Sequence, residues 1–598
     1  MPTVTTDGFL PFLDMMEQLK PSLVHDIHLL SRDEQWSAIH IMTYAISKIK
    51  SNLNADMPVC KLPPELLTLV FEYASFRDQR YALRNSVRKV QGHGAPATEP
   101  AYHRLLPITH VCRMWRNVAL AAAHLWTCIS YGRKERADTF IHRSQAAPLS
   151  ITVFGATKSH LERIFGSSGS RLQRLDIGHD RRLFLPSTGV GSSRLECVTV
   201  AANSTHIDAA AFEQSVSTLK GVALCLGEGH WVPSAHFPNL THLLLGSCFG
   251  SVYCDLLTLA RLSSLLVETP RLQYLHLSRL PSARSQPNTL KPASLPHLKL
   301  FLCTSCDPDT SLHLLSSLIL PAEVFVALDS HSNYHASLAS MELFQRHQLQ
   351  DGDWMQSLTR LECTISRDTQ WVVAEGHRSG LWFKCADGLR FGRLQPMFPF
   401  GSVRALDFFA EHDYRFPLRH QHQLQDILRN TSSLVSLRFP AASTKPTSSE
   451  ESCTSCCALD DKLLLPLLPD GSDGRASVRC PLLTMLCIEA PLAEQLERLA
   501  PHIAEVLAAR ASAGVPLKSV TLRVPQRMHT GEPLRREAFD TAARYVEDLQ
   551  LEFGVDGPGE LATHGTYWGT ELSMEAEKYW ITPDGMAPRW FRSSIEDL

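Results

Sequence analysis

Apolar positions recur along this chain in two rhythms, one near its start and another through most of its remaining length. Over roughly the first 130 residues the rhythm is helical. Ser31 followed by Glu34 fits a capping box. Ile39, Met42, Ile46, Ile49 and Leu53 then alternate by three and four, the a/d seam of a paired helix, sustained for about two heptads. The predicted helix packs either on the segment that follows it or on another copy. Leu66, Leu67, Val70, Phe71 and Ala74 share helical spacing after Pro63 and Pro64, and Pro64 suits a first helical turn because its missing N–H needs no partner there. Ile108, Val111, Cys112, Trp115 and Val118 repeat the pattern after Pro107. Two short apolar helices cannot bury this much surface against each other, so part of it is expected to face a partner or the rest of the chain.

The second rhythm is that of strands. Phe140 and Ile141 predict a short helix, and Leu149, Ile151 and Val153 alternate as a strand. From Ser170 one phrase, L-x-x-L-x-L with apolar substitutes, keeps returning. It runs through Leu172-Leu175-Ile177, Leu195-Val198-Val200, Leu219-Val222-Leu224, Leu240-Leu243-Leu245, Leu272-Leu275-Leu277 and Leu295–Cys303. Weaker copies are Leu358-Leu361-Cys363, Val403-Leu406-Phe408, Leu434-Leu437-Phe439, Leu483-Leu486-Ile488 and Leu517-Val520-Leu522. Copies in the first half lie 21 to 32 residues apart, near the leucine-rich-repeat period of about 20–29. One such strand cannot cover its own apolar face, but a stack can. The returns at Leu256–Leu266, Leu424–Leu428 and Leu496–Leu507 hold helical spacing. The expected class is therefore α/β, a curved parallel sheet with helical returns; an ordinary α/β domain with leucine-rich strands is the other reading. In such a stack the residues flanking the second leucine face the concave, solvent side. This makes Arg174, Asp176, His242, Tyr274, His276, Arg360, Glu362 and Arg438 candidate target-binding residues. Val326–Ser357 and a Ser-, Asp- and Cys-rich stretch near 441–480 read as insertions. The repeat is expected to stop after Pro525, with a helix over Glu537–Leu549 and an aromatic tail that caps the array.

The helical stretch carries more specific residues. LPPELL with Val70-Phe71, then I-x-x-V-C-R-x-W-R-x-V-A, then LW before a short strand, resembles an F-box in the form seen in mushroom-type (basidiomycete) fungi. The likeness rests on Leu62, Pro63, Glu65, Leu66, Phe71, Val111, Cys112, Trp115, Arg116, Leu125 and Trp126. It departs from the family in a long insert near 76–104 and in Ala123-His124 where a proline commonly precedes the LW pair. The resemblance implies helices that dock on the Skp adaptor of a cullin-type ubiquitin ligase. On that basis the adaptor-binding residues are Leu62, Pro63, Leu66, Leu67, Val70, Phe71, Val111, Cys112, Trp115, Leu125 and Trp126. An F-box joined to leucine-rich repeats further implies a substrate receptor, with the repeats holding a target protein.

Composition narrows these readings without overturning them. A length of 598 residues implies more than one domain or an elongated array. The expected division is a helical segment at 1–55, the F-box at 56–131, a repeat array at 132–525 and a cap or tail at 526–598. A net charge of −3 gives no footprint for nucleic acid or an anionic membrane. No segment approaches the ~20 apolar residues of a membrane span, and the acidic start does not read as a secretory signal. The 16 cysteines lie in apolar contexts, as buried thiols do in a reducing compartment, so cytoplasm or nucleus is expected. The Cys303/Cys306 and Cys453/Cys456 pairs are too far apart for a structural zinc site, and His420 and His422 cannot share a helix face. No metal, cofactor or catalytic residue is expected. The alternatives are an interaction protein outside any ligase, with the F-box packed internally, and an enzyme whose pocket is built across the repeats.

Overall fold

The computed structural model describes residues 31–76, 102–130, 134–154, most of 162–329, 353–365, 369–386, 400–410, 417–440, 463–469, most of 478–524, and 535–553. The chain forms two compact units. One comprises residues up to Trp126 with His142–Gln145, and the other Thr127–Ile141 with everything from Ala146 onward.

The first unit is helical. Helix α1 (Arg32–Ala55) opens with the expected capping box: the Glu34 amide donates to Ser31 Oγ at 3.4 Å, and the Ser31 amide donates to the Glu34 carboxylate at 2.8 Å. None of its residues is buried. A 3-10 turn at Pro58–Lys61 leads to α2 (Pro64–Phe76). The helix predicted after Pro107 is in fact two, α3 (Tyr102–Val111) and α4 (Arg113–Ala121), and Pro107 lies inside the first. The break falls at Cys112, which is extended (φ −154°, ψ 171°) and accepts the Trp115 amide on its sulfur at 3.4 Å. A polar side chain at that position satisfies one of the donors a helix start leaves unpaired. A 3-10 turn at Ala123–Trp126 follows. Leu67, Phe71, Leu105, Ile108, Ala119, Leu125 and Trp126 are buried, and the rings of Phe71 and Trp115 pack 5.0 Å apart.

The second unit is built on one large, mostly parallel sheet. Its strands are β1 (Cys128–Ser130), β2 (Leu149–Phe154), β3 (Leu172–His179), β4 (Cys197–Ala202), β5 (Gly221–Leu226), β6 (His242–Ser247), β7 (Tyr274–Ser278), β8 (Leu300–Thr304) and β9 (Phe325–Asp329). They continue through β10 (Arg360–Ile365), β11 (Thr369–Glu375), β12 (Gly380–Ala386), β13 (Ala405–Ala410), β14 (Ser436–Phe439), β15 (Met485–Glu489), β16 (Ser519–Val524) and β17 (Asp548–Phe553). From β1 to β9 each strand pairs in parallel with the next in the chain. Their middle residues form one continuous row: Leu175, Val198, Val222, Leu243, Leu275, Phe301 and Val326 lie side by side. The order then changes. Strand β9 pairs with β12, β12 and β10 flank the antiparallel β11, and β10 pairs with β13, from which the parallel ladder resumes to β17. Helices α5 (Lys134–Arg143), α6 (Leu259–Val267), α7 (Pro308–Ser316), α8 (Pro417–Asn430) and α9 (Ala493–Ser512) lie between strands in the chain.

All eleven L-x-x-L-x-L phrases fall on or just before a strand, and their leucines and substitutes are buried: Leu172, Leu175, Leu243, Leu361, Leu437 and Val520 are fully enclosed. Elsewhere the pattern misled. Val326–Asp329 begins no insertion but completes β9. Thr369–Ala386 forms a hairpin that no phrase announced. The helix expected over Glu537–Leu549 is a 3-10 turn (Arg536–Phe539) and a single helical turn (Asp540–Ala543) before β17. The ladder therefore runs past Pro525: Leu549 and Leu551 pair beside Val520 and Leu522. Most of the F-box insert, and the 441–480 stretch apart from 463–469 and its last residues, lie outside the described residues.

Candidate protein-docking surface

The register of the sheet unit tests the candidate target face directly. Arg174, His242, Tyr274 and Arg360 fall on one row, and Asp176, His276, Glu362 and Arg438 on the next, all on the side opposite the buried leucines. That side is nevertheless largely closed from β3 through β11. Arg174, Asp176, His242, Tyr274, His276 and Glu362 are all buried, as are Leu244, Ala327 and Val373 beside them. Every residue of β7 is buried. The physical reason was written in the strands. GVALCL, HLLLGS and FVALD do not alternate apolar and polar; they are near-continuous apolar runs, the signature of a parallel sheet covered on both faces. Several of the polar groups there pair with one another. Arg174 donates twice to the Asp176 carboxylate at 2.8 and 3.0 Å, and His242 stacks on Tyr274 at 4.4 Å. His276 Nε2 lies 3.0 Å from Thr304 Oγ1, and burial holds its imidazole down to about 3.

At the other end the strands do alternate, and the outer row is charged. Arg360 reaches Asp407 at 2.6 Å with 43% of its side chain exposed. Glu489 receives Arg438 at 2.9 Å and Arg523 at 3.1 Å, and Arg523 also meets Glu552. Of this relay only Arg360 and Arg438 were expected. Asp407, Glu489, Arg523 and Glu552 were missed, although each lies one residue from an inward-facing apolar position and the period of two would place it outward. Thiols on the sheet are poor nucleophiles: burial pushes Cys197 up to about 12, and burial followed by the Glu489 carboxylate pushes Cys487 up to about 11. Cys303 and Cys306 are buried, Cys453 and Cys456 lie outside the described residues, and His422 is exposed on α8. Among the described residues no cluster of three His, Cys, Asp or Glu side chains is placed to hold a metal.

The helical unit presents a different surface. On α2, Leu67, Phe71 and Ser75 face inward, whereas Leu66, Leu69, Val70 and Tyr73 form a stripe at i, i+3, i+4 and i+7 on the other side. These four are 47%, 57%, 42% and 54% exposed, and Val111 at the end of α3 is also exposed. The scaffold beneath is firmly built. Trp126 Nε1 donates to the Ala119 carbonyl at 2.7 Å, the Arg143 guanidinium lies 4.4 Å over the Trp126 ring, and Arg116 Nε donates to the Thr109 carbonyl at 2.8 Å. Cys60 and Cys112 lie close together beside Trp115, and burial followed by the Cys112 thiol raises the Cys60 thiol. A family model described as F-box-like matches residues 59–131, the stretch that contains the stripe and all of this scaffold except Arg143. These residues are an F-box-like domain. No curated protein matches the chain. F-box domains generally bind Skp-type adaptors. Within this F-box-like domain the eleven expected adaptor contacts divide by position. Pro63, Leu66, Val70 and Val111 are exposed, Leu62, Cys112 and Trp115 are half-buried, and Leu67, Phe71, Leu125 and Trp126 form the core. Leu69 and Tyr73 were missed on the outer stripe. In LLTLVF nearly every position is apolar, so the spacing cannot tell the inward side from the outward one.

Proposed function

We propose that this chain is a substrate-receptor subunit of a cullin-type ubiquitin ligase. Its F-box-like domain docks on a Skp-type adaptor, and its sheet unit, read as an irregular leucine-rich-repeat array, holds a target protein. The observation that carries this reading is the exposed stripe Leu66, Leu69, Val70 and Tyr73 on a domain whose own core is already complete. An apolar helix face at that spacing fits a groove between helices of a partner. The chain needs no catalytic group in this role. It raises the concentration of the target near a ubiquitin-charged enzyme carried elsewhere in the assembly. The target surface is then the part of the charged end that reaches solvent, Arg360 with 43% and Glu552 with 28% of the side chain exposed, while Arg438 and Arg523, only 11% and 12% exposed, brace it from within through Glu489. The expected compartment is the cytoplasm or nucleus.

The test is co-purification with a Skp-type adaptor. Leu66→Asp with Val70→Asp should abolish binding and leave helix content unchanged, because neither side chain is in the core. Phe71→Ala, by contrast, should cost about 3–5 kcal/mol as a buried aromatic truncation and loosen the domain itself. Undiminished capture of the adaptor by the Asp variant, or no capture by the wild-type chain, refutes the proposal.

A further inference from the structure

Two thiols meet beside the core of the F-box-like domain. Cys60 lies in the 3-10 turn that precedes α2, and Cys112 is the extended residue that separates α3 from α4. Each is a free thiol and only half-buried. Their side chains interact directly, and Trp115 bears on both. The Cys112 sulfur accepts the Trp115 amide at 3.4 Å. The Trp115 indole N–H, buried and without a full hydrogen bond among the described residues, lies against the Cys60 sulfur. Neither cysteine is inside a helix, so each side chain can turn toward the other without breaking a helical hydrogen bond. The stretch of chain between them carries the insert that separates α2 from α3. Cys303 and Cys306 in the sheet unit also touch, but both are sealed in the core, away from a dissolved oxidant.

We infer that Cys60 and Cys112 are a redox modification site, joined by a peroxide into a reversible disulfide that braces the F-box-like domain around its insert. The Cys112 thiolate attacks one peroxide oxygen, the O–O bond breaks, and the leaving hydroxide takes up the thiol's proton as water. Cys112 is then a sulfenic acid. Cys60 attacks that sulfur, the S–O bond breaks, and the departing hydroxide leaves as a second water with the proton from Cys60. Each sulfur gives up one electron and the peroxide gains two. The order follows from burial, which raises the Cys60 thiol most, with the Cys112 thiol adding to it, so Cys60 is the poorer first nucleophile. A dithiol restores both cysteines by exchange. The cross-link removes freedom from the unfolded chain, and a longer enclosed loop gains more. This does not depend on the ligase reading.

The test treats the full-length chain with a small molar excess of hydrogen peroxide, blocks the remaining thiols by alkylation and reads the peptides by mass spectrometry. The Cys60 and Cys112 peptides should appear joined, two hydrogens lighter than the pair, and should separate on adding dithiothreitol. Amide exchange over Pro64–Phe76 and Arg113–Ala121 should slow about tenfold or more on oxidation. Cys60→Ser should keep its helix content, show no slowing and stop at a Cys112 sulfenic acid that a dimedone-type probe captures. Cys112→Ser, which retains a capping side chain, should also show no slowing. A wild-type chain whose two peptides stay unlinked, or link to other cysteines instead, overturns the inference. So does a link that leaves exchange over the two helices unchanged or faster, and so does equal slowing in either serine variant, which would place the effect on a different thiol.

Discussion

His276 sits mid-strand in β7 between Tyr274 and Ser278, with every residue of that strand buried and its ring beside the Thr304 hydroxyl. Burial disfavours its charged form, so the imidazole stays neutral in the folded protein down to about 3. In the unfolded chain it takes a proton near pH 6.5. Between those values the unfolded state binds the extra proton, so stability declines as pH falls through that window, by up to about 1.4 kcal/mol per pH unit. The chain has 27 histidines, so the comparison must be with a single variant. Denaturant unfolding at pH 7 and pH 5 should show the wild type losing up to about 2 kcal/mol more than His276→Asn. An equal loss in both chains would show that this side chain is not held neutral.

At the scale of elements, the hairpin β11–β12 tests how the ladder tolerates an interruption. The turn is closed by the Gly376 amide donating to the Ser379 carbonyl at 2.9 Å. A methyl group on Gly376 would meet the Ser357 carbonyl oxygen at 2.5 Å and the hydroxyls of Ser357 and Ser379 at 2.9 Å. Backbone cannot swing aside as a flexible side chain can. Gly376→Ala should therefore cost about 1–3 kcal/mol, the range for overpacking, and hydrogen exchange should rise over Arg360–Ala386 first. Exchange unchanged there would mean that the turn yields more easily than its contacts indicate. The same hairpin shows where sequence legibility ended. Eleven strands were readable because a parallel strand followed by a return repeats L-x-x-L-x-L. Strands β11 and β12 are joined by a tight turn and pair antiparallel, so nothing obliges them to repeat it. The α2 helix was readable as a helix, but LLTLVF is apolar nearly all round and did not disclose that Leu66 faces out while Phe71 faces in. For the face of the sheet, alternation was assumed where the strands do not alternate. His242 and Tyr274 consequently appeared to be surface residues and are core.

At the scale of the whole sheet, each strand finds its partners mainly among its neighbours in the chain, so stability should be close to a sum of local terms. Strand β17 borders the ladder on β16 through six paired residues, Asp548–Phe553 against Ser519–Val524. Its outer row, Asp548, Gln550 and Glu552, is polar or acidic, a composition that discourages pairing with foreign strands. Removing residues 527–598 would strip β16 of that neighbour and take Glu552 from Arg523, leaving Glu489 to serve both arginines. Amide exchange over Ser519–Val524 should then quicken markedly and that over Met485–Glu489 more modestly. Tyr274–Ser278, many strands away, should keep the protection it has in the full chain. Exchange that rises equally at β7 and β16 would make the sheet one cooperative block, and the nearest-neighbour account of its stability would have to be abandoned.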